Sequence, residues 1–242
     1  MATQNKPTPR RAKKSKQKNK WIDVLLILII IASLSSGLYL LIQPKIVQNN
    51  QDKVTADLNL VVDGQLNQPI MVDPRANKVP GEDYDFFGDD DQDDINYEDL
   101  PDLVELIPLG RLKIPDINVD LPILEGATHV QLRYGLAHIE SSSLPGEEGN
   151  CAILGHRMLD NGRHLNRLNE VEIGDLITIN TGTDLYTYEV FDMPVVRPED
   201  LLSYVEKDYS GSTITLSTCH PIPTWTHRLL CVAKQVEHQT IE

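Results

Sequence analysis

Cysteine is scarce in this chain, with only Cys151, Cys219 and Cys231 among 242 residues. An odd number of thiols in so long a chain cannot supply the disulfide framework that replaces a core in small secreted domains, so apolar burial must hold the fold. Positive charge is missing over most of the length: no basic cluster follows Lys45, and the twelve acids between Glu82 and Glu105 are interrupted by no Lys or Arg. A nucleic-acid partner is therefore excluded, because binding phosphates requires a cationic face. Internal repeats are also lacking, and the length suits one core of ordinary size with appendages rather than two large domains.

What positive charge there is lies at the start. Residues 1–20 hold eight Lys and Arg and no acid, which leaves a net charge of −22 for the rest of the chain. Residues 22–42 follow with a single charge, Asp23, near one edge. At about 1.5 Å rise per residue such a run crosses roughly 30 Å of hydrocarbon, so residues 21–42 are expected to form one transmembrane helix. The positive-inside bias places residues 1–20 in the cytoplasm as a basic tail and the remainder outside the cell membrane. A cleaved signal peptide is the rival reading, with Ser33 and Ser35 as small residues, but the apolar run continues through Leu38 to Ile42.

From residue 43 to 102 the pattern is irregular and acidic, and a flexible linker is expected, with an end-to-end distance on the order of 40 Å. Asp89, Asp91 and Asp93 invite a calcium reading. An EF-hand loop needs Gly at its sixth position and Glu at its twelfth, where this chain has Asp94 and Leu100, so a solvated acidic run is expected instead. No metal and no cofactor is expected.

Beyond residue 103 short apolar segments are broken by Pro, Gly, Asn and Asp, the texture of an all-β barrel or sandwich. Ile117, Val119, Leu121 and Ile123 alternate as one strand face. Further strands are expected at 112–114, 151–154, 176–180, 185–190, 213–218 and 228–235, rich in β-branched and aromatic residues. Helices are expected to be short and few, foremost at 99–105 and 199–205, the latter with Pro198 where a first turn tolerates it.

Cys219 ends the β-like run Thr215-Leu216-Ser217-Thr218 and precedes His220-Pro221-Ile222-Pro223, so its thiol is expected at a strand end beside a loop. Cys151 and Cys231 sit within apolar strands, where a free Cys behaves as a small hydrophobe. A thiol attacks carbonyl carbon as thiolate and benefits from a nearby base or cation. Seven His are available: His129, His138, His156, His164, His220, His227 and His238. Sequence logic does not choose among them, although His156 follows the apolar run 152–154 and would lie at a strand edge. Acyl transfer also develops charge on the substrate oxygen, and Arg228, opening the strand after the Cys219 loop, could meet it.

TLSTC at 215–219, LGHR at 154–157 and HRLL at 227–230 together resemble the sortase signature, in that family's order. Supporting similarity runs from GRLKIPDINVDLPILEG at 110–126 through YGLAHIESSSLPGEEGN at 134–150, so the resemblance covers residues 108–236. It implies an eight-stranded β-barrel with a few short helices over residues 103–242. It further implies that Cys219 cleaves an LPXTG-like sorting signal of a surface protein through a thioester. The acyl group then passes to an amine of a cell-wall precursor or a pilin, on a Gram-positive cell. By resemblance Cys219 is the nucleophile, His156 the general acid and later base, and Arg228 the substrate and oxyanion clamp. Thr218 and His138 are carried over as substrate-binding positions. The subclass stays open. The 145–150 stretch and the absence of a second apolar span resemble class D enzymes, whereas residues 43–102 could form a class C lid. Such a lid would show Asp-Pro-aromatic, and here Asp73-Pro74 is followed by Arg75.

Other thiol chemistries fit less well. A thiol phosphatase spaces Cys and Arg by five residues, against eight between Cys219 and Arg228, and a papain-like protease places Cys ahead of His. Hydrolysis at the same site and a non-catalytic surface-binding β module are the remaining alternatives.

Overall fold

The structure is a computed structural model, and it describes residues 20–65, 68–77, 100–158 and 164–241. The basic tail up to residue 19 and most of the acidic run, with Asp89, Asp91 and Asp93, lie outside the described residues. The chain divides into two compact units, 1–45 and 46–242.

Helix α1 spans Lys20–Val62 and carries Pro44 inside it. Among the described residues it is the one helix long and apolar enough to cross a membrane. It runs well past the expected boundary at residue 42, so the segment 43–102 is not irregular throughout. The reason is a stripe at helical spacing, Gln51, Val54, Leu58 and Val62, which packs on the domain. Leu58 is fully buried, with Val72, Leu106, Leu124, Val130 and Tyr134. The Thr55 hydroxyl donates to the Tyr134 carbonyl at 2.6 Å, and Asp63 pairs with Arg111 at 2.7 Å.

Strand β1 (Ile70–Val72) also falls in the expected linker, and it pairs antiparallel with β2 (Val104–Leu106). The helix expected over 99–105 is therefore corrected. Pro101 lacks a backbone donor, and a single turn of helix gains less than the pairing that buries Val72 and Leu106.

The body is a closed barrel. Its strands are β3 (Pro108–Ile114), β4 (Val119–Glu125), β5 (Leu136–His138), β6 (Gly149–Leu154), β7 (Leu176–Asn180), β8 (Asp184–Asp192), β10 (Ser212–His220) and β11 (His227–Thr240). Neighbours run β10-β6-β5-β4-β3-β7-β8-β11, and β11 pairs back onto β10, which closes a ring of eight as expected. The two-residue strand β9 (Val195–Val196) adds to β11 outside the ring. Two short helices flank the barrel: α2 (His129–Tyr134), capped by the Thr128 hydroxyl, and α3 (Leu201–Val205), preceded by a 3-10 turn at Pro198–Asp200.

Strand alternation sorts the side chains. Cys151, Ile153, Ile214, Leu216, Leu229 and Cys231 point inward to the main core. Ala152, Leu154, Cys219 and Leu230 point outward, under Leu132 of α2 and Leu201 and Val205 of α3. Cys151 and Cys231 are buried free thiols, as expected, and burial pushes the Cys231 thiol up to about 12.

Candidate active site

Three chain segments reach the same end of the barrel. Strand β6 runs parallel to β10, with Leu154 opposite Ser217, and β11 runs antiparallel to it, with Arg228 opposite Cys219. The C-terminal ends of β6 and β10 thus lie beside the start of β11. Because side chains alternate with a period of two, Cys219 and, on β11, Arg228 and Leu230 share the outer face with Leu154. His156 follows two residues past the end of β6, near His129 and Arg133 of α2.

The local sequence explains how each is held. Gly155 lies against Leu165 and Leu136, where an added Cβ would come within 2.6 Å of Leu165 and 2.8 Å of Leu136. The absence of a side chain lets the segment carrying His156 pass close over the barrel mouth. The His156 carbonyl accepts from Leu165 N at 3.1 Å, and Gly155 N donates to Ser217 O at 3.0 Å. Arg228, 1% exposed, donates through Nη1 to the carbonyls of Trp225 at 3.2 Å and His227 at 3.0 Å.

The electrostatics favour neutral partners at rest. Burial pushes the Cys219 thiol up, and the nearby Arg228 and Arg157 guanidiniums oppose that rise. Burial first, then His129 and Arg133, lowers His156 to about 4. A thiol and a neutral imidazole are the resting forms, and two guanidiniums stand ready to favour charge separation. The buried His156 Nε2 and Ser217 Oγ make no hydrogen bond among the described residues. Buried polar atoms of this kind are what a bound polar chain would satisfy.

The other two expected site residues are not on this face. Thr218 is fully buried with the inward phase, and its hydroxyl donates to the Gly155 carbonyl at 2.7 Å, fastening β10 to β6. A Thr between two outward residues of a strand points the opposite way, and here its hydroxyl serves the joint between the two strands. His138 is likewise inward and buried. Its Nδ1 lies 3.0 Å from Glu125 Oε2, and its Nε2 lies 3.0 Å from both Ser143 O and Ser142 Oγ. Those partners make it an anchor of the loop between β5 and β6, with no ring nitrogen left to meet a substrate.

Arg157 is the residue that sequence reasoning passed over, although it stands inside the LGHR motif. It donates to Asn166 O at 3.2 Å, to Asn169 Oδ1, to Cys219 O at 3.4 Å and to His220 Nδ1 at 2.6 Å. Its place directly after His156 was the available signal.

The fold recurs in known proteins. The crystal structure of sortase C-3 from Streptococcus pneumoniae superposes with a TM-score of 0.53 at 26% identity, covering 81% of this chain and 86% of that one. Sortase E1 from Streptomyces coelicolor, solved with a tripeptide in its active site, gives a TM-score of 0.51 at 27% identity, covering 55% of this chain and 91% of that one. Sortase D of Bacillus subtilis is 32% identical over 112 residues, 46% of this chain and 54% of that protein. Sortase A of Bacillus anthracis is 30% identical over 129 residues, 50% and 60% of the respective lengths. The chain thus spans somewhat over half the length of these relatives. The sortase domain model matches residues 112–236, slightly more than half of the chain, and the chain belongs to the sortase family.

Proposed function

We propose that this chain is a membrane-anchored cysteine transpeptidase that cleaves an LPXTG-like sorting signal and transfers the acyl group to an amine. The observation that carries the reading is the cross-strand pairing of Cys219 with Arg228 on the outer face, beside the end of β6 that leads into His156.

In the first half-reaction the thiol proton of the resting neutral pair passes to His156, and Cys219 Sγ attacks the carbonyl carbon of the Thr–Gly peptide bond as a thiolate. Arg228 stabilises the negative charge that develops on the carbonyl oxygen. His156, as imidazolium, gives its proton to the departing Gly amine, and a thioester on Cys219 remains. In the second, neutral His156 removes a proton from the incoming amine as its nitrogen attacks the thioester. The new amide forms, the thiolate leaves, and the thiolate–imidazolium pair is restored. The acceptor is an amine of a cell-wall precursor or a pilin, and the donors are surface proteins with a C-terminal sorting signal. The apolar helix anchors the enzyme by a single pass, with the basic tail in the cytoplasm and residues 46–242 outside.

The test is to incubate the full chain in detergent with an LPXTG-type peptide and an amine acceptor, following products and intact protein by mass spectrometry, with Cys219→Ala as control. An acyl adduct on Cys219 and ligated peptide, both lost in the variant, are expected. Cleaved peptide without ligation for any amine would replace transpeptidation by hydrolysis. A folded protein that gives no adduct with a library of sorting motifs would favour the surface-binding module.

A further inference from the structure

The Arg157 guanidinium reaches the backbone of Cys219, and its charge also acts on the thiol. All four of its acceptors come from two places. Asn166 O and Asn169 Oδ1 belong to the segment after His156, while Cys219 O and His220 Nδ1 belong to the end of β10. The side chain is buried, as is Asn166, so these bonds form in surroundings where a lost partner is costly. The bond to His220 also fixes that ring: Nδ1 receives the Arg157 proton, so the imidazole carries its own hydrogen on Nε2. Arg157 directly follows His156 in the chain and holds the backbone of the thiol's own residue.

From this geometry we infer that Arg157 is a positioning residue for Cys219. Its planar fork, with His220 as partner, locks the strand end carrying the nucleophile to the loop that follows the general acid. This rests on the transpeptidase reading above and adds to it a residue that touches no substrate. Lysine cannot replace the fork, because a single ammonium cannot reach four acceptors in fixed directions.

The test uses the full chain in detergent and four single variants, Arg157→Lys, Arg157→Gln, His220→Leu and His220→Asn, with the R157Q/H220L double variant. Acylation by a sorting peptide gives kcat and KM, and alkylation of Cys219 by iodoacetamide, read by intact mass across pH, gives the thiol's reactivity without any substrate. R157K keeps the charge and loses the fork. It is expected to alkylate with a pH profile close to the parent and to lose about ten- to hundredfold in acylation kcat with KM little changed, as a small misplacement of a nucleophile does. H220L is expected to fall likewise, and H220N, whose amide oxygen can accept from Arg157, to recover part of the loss. The double variant is expected to be no worse than the poorer single, because the two residues act as one unit.

Parental kcat in R157K and H220L, or single effects that multiply in the double variant, overturns the inference. If R157Q loses its circular dichroism signature, R157K and the His220 pair decide. If no peptide acylates parental Cys219, the transpeptidase reading fails by itself. Amide hydrogen exchange of residues 217–221, read by mass spectrometry, then decides the positioning role: R157K and H220L loosening the strand end, with the double variant no looser than the poorer single, support it, and parental protection in R157K and H220L overturns it.

Discussion

Cys219 and Arg228 are register partners across β10 and β11, so the residue that would attack and the cation that would meet the resulting oxyanion are fixed by one pair of antiparallel strands. Neither can shift along its strand without slipping the register of a closed barrel. This pairing makes Arg228 the more demanding position to replace. Arg228→Ala is expected to lower kcat/KM by about a hundred- to thousandfold, the usual cost of removing one oxyanion donor. Arg228→Lys should recover only part, since an ammonium lacks the directed fork. Steady-state ligation of a sorting peptide, with circular dichroism as the check on folding, measures both.

The thiol shift predicts a pH dependence. With burial raising the Cys219 pKa and Arg228 and Arg157 lowering it, the thiolate is a minor form at neutral pH. Alkylation of Cys219 by iodoacetamide should rise with pH and reach its midpoint above the ordinary thiol value. Removing the Arg228 charge should move that midpoint further up, because one of the two opposing cations is gone. A midpoint below that of a free thiol would show that the guanidiniums outweigh burial.

His156 links the site to stability. Its folded pKa, about 4, lies below the ordinary imidazole value of 6.5. Between those values the unfolded chain binds more protons than the folded one, so this residue makes stability fall as pH drops from 6.5 toward 4 and contributes nothing above 6.5. His156→Gln, which does not titrate, should flatten the pH dependence of the melting temperature in that window. Thermal melts of the parent and variant at matched pH values check it.

Strand periodicity made most of the barrel legible. Val119 to Ile123 and Thr213 to Thr218 form strands as expected, whereas Ile117, expected on the same face, closes a 3-10 turn at Pro115–Ile117, where Asn118 takes a left-handed conformation that breaks the strand. Cys219 and Arg228 were legible as strand-end residues, but their register pairing was not, since a loop of six residues between them fixes it only after closure. His156 could not be separated from six other histidines by pattern alone. The packing of residues 46–72 was missed because the acidic composition further on masked the short stripe at 51, 54, 58 and 62. The inward direction of Thr218 and His138 was not legible either, because a resemblance carries positions and not the direction in which a side chain points.

The helical brace gives a stability prediction. Leu58 is fully buried with Leu106, Leu124, Val130 and Tyr134, and Leu58→Ala is expected to cost about 2–5 kcal/mol, the range for a core leucine. A chain beginning at residue 103 lacks this helix and β1 and leaves that cluster open to water. It should melt well below one beginning at residue 46. Denaturant titrations of the two chains compare them directly, and equal midpoints would assign the brace no energetic role.

Gly155 ties packing to catalysis. An alanine Cβ there would sit 2.6 Å from Leu165 Cδ1 and 2.8 Å from Leu136 Cδ2, and both side chains belong to the main core. The two leucines cannot withdraw without opening a void, so the strain falls on the backbone between Leu154 and His156. Gly155→Ala is expected to cost about 1–3 kcal/mol as an overpacked site. The same shift displaces the His156 imidazole, whose backbone is held on its far side by Leu165 N. Acylation should therefore slow beyond what the lost stability explains, even where the protein is fully folded. Pairing Gly155→Ala with Leu165→Ala separates the two effects: the added space should restore acylation toward the parental rate, although the second substitution removes core volume. If acylation stays low in the double variant while circular dichroism reports a native fold, Gly155 serves the approach of the strands and not the placement of His156.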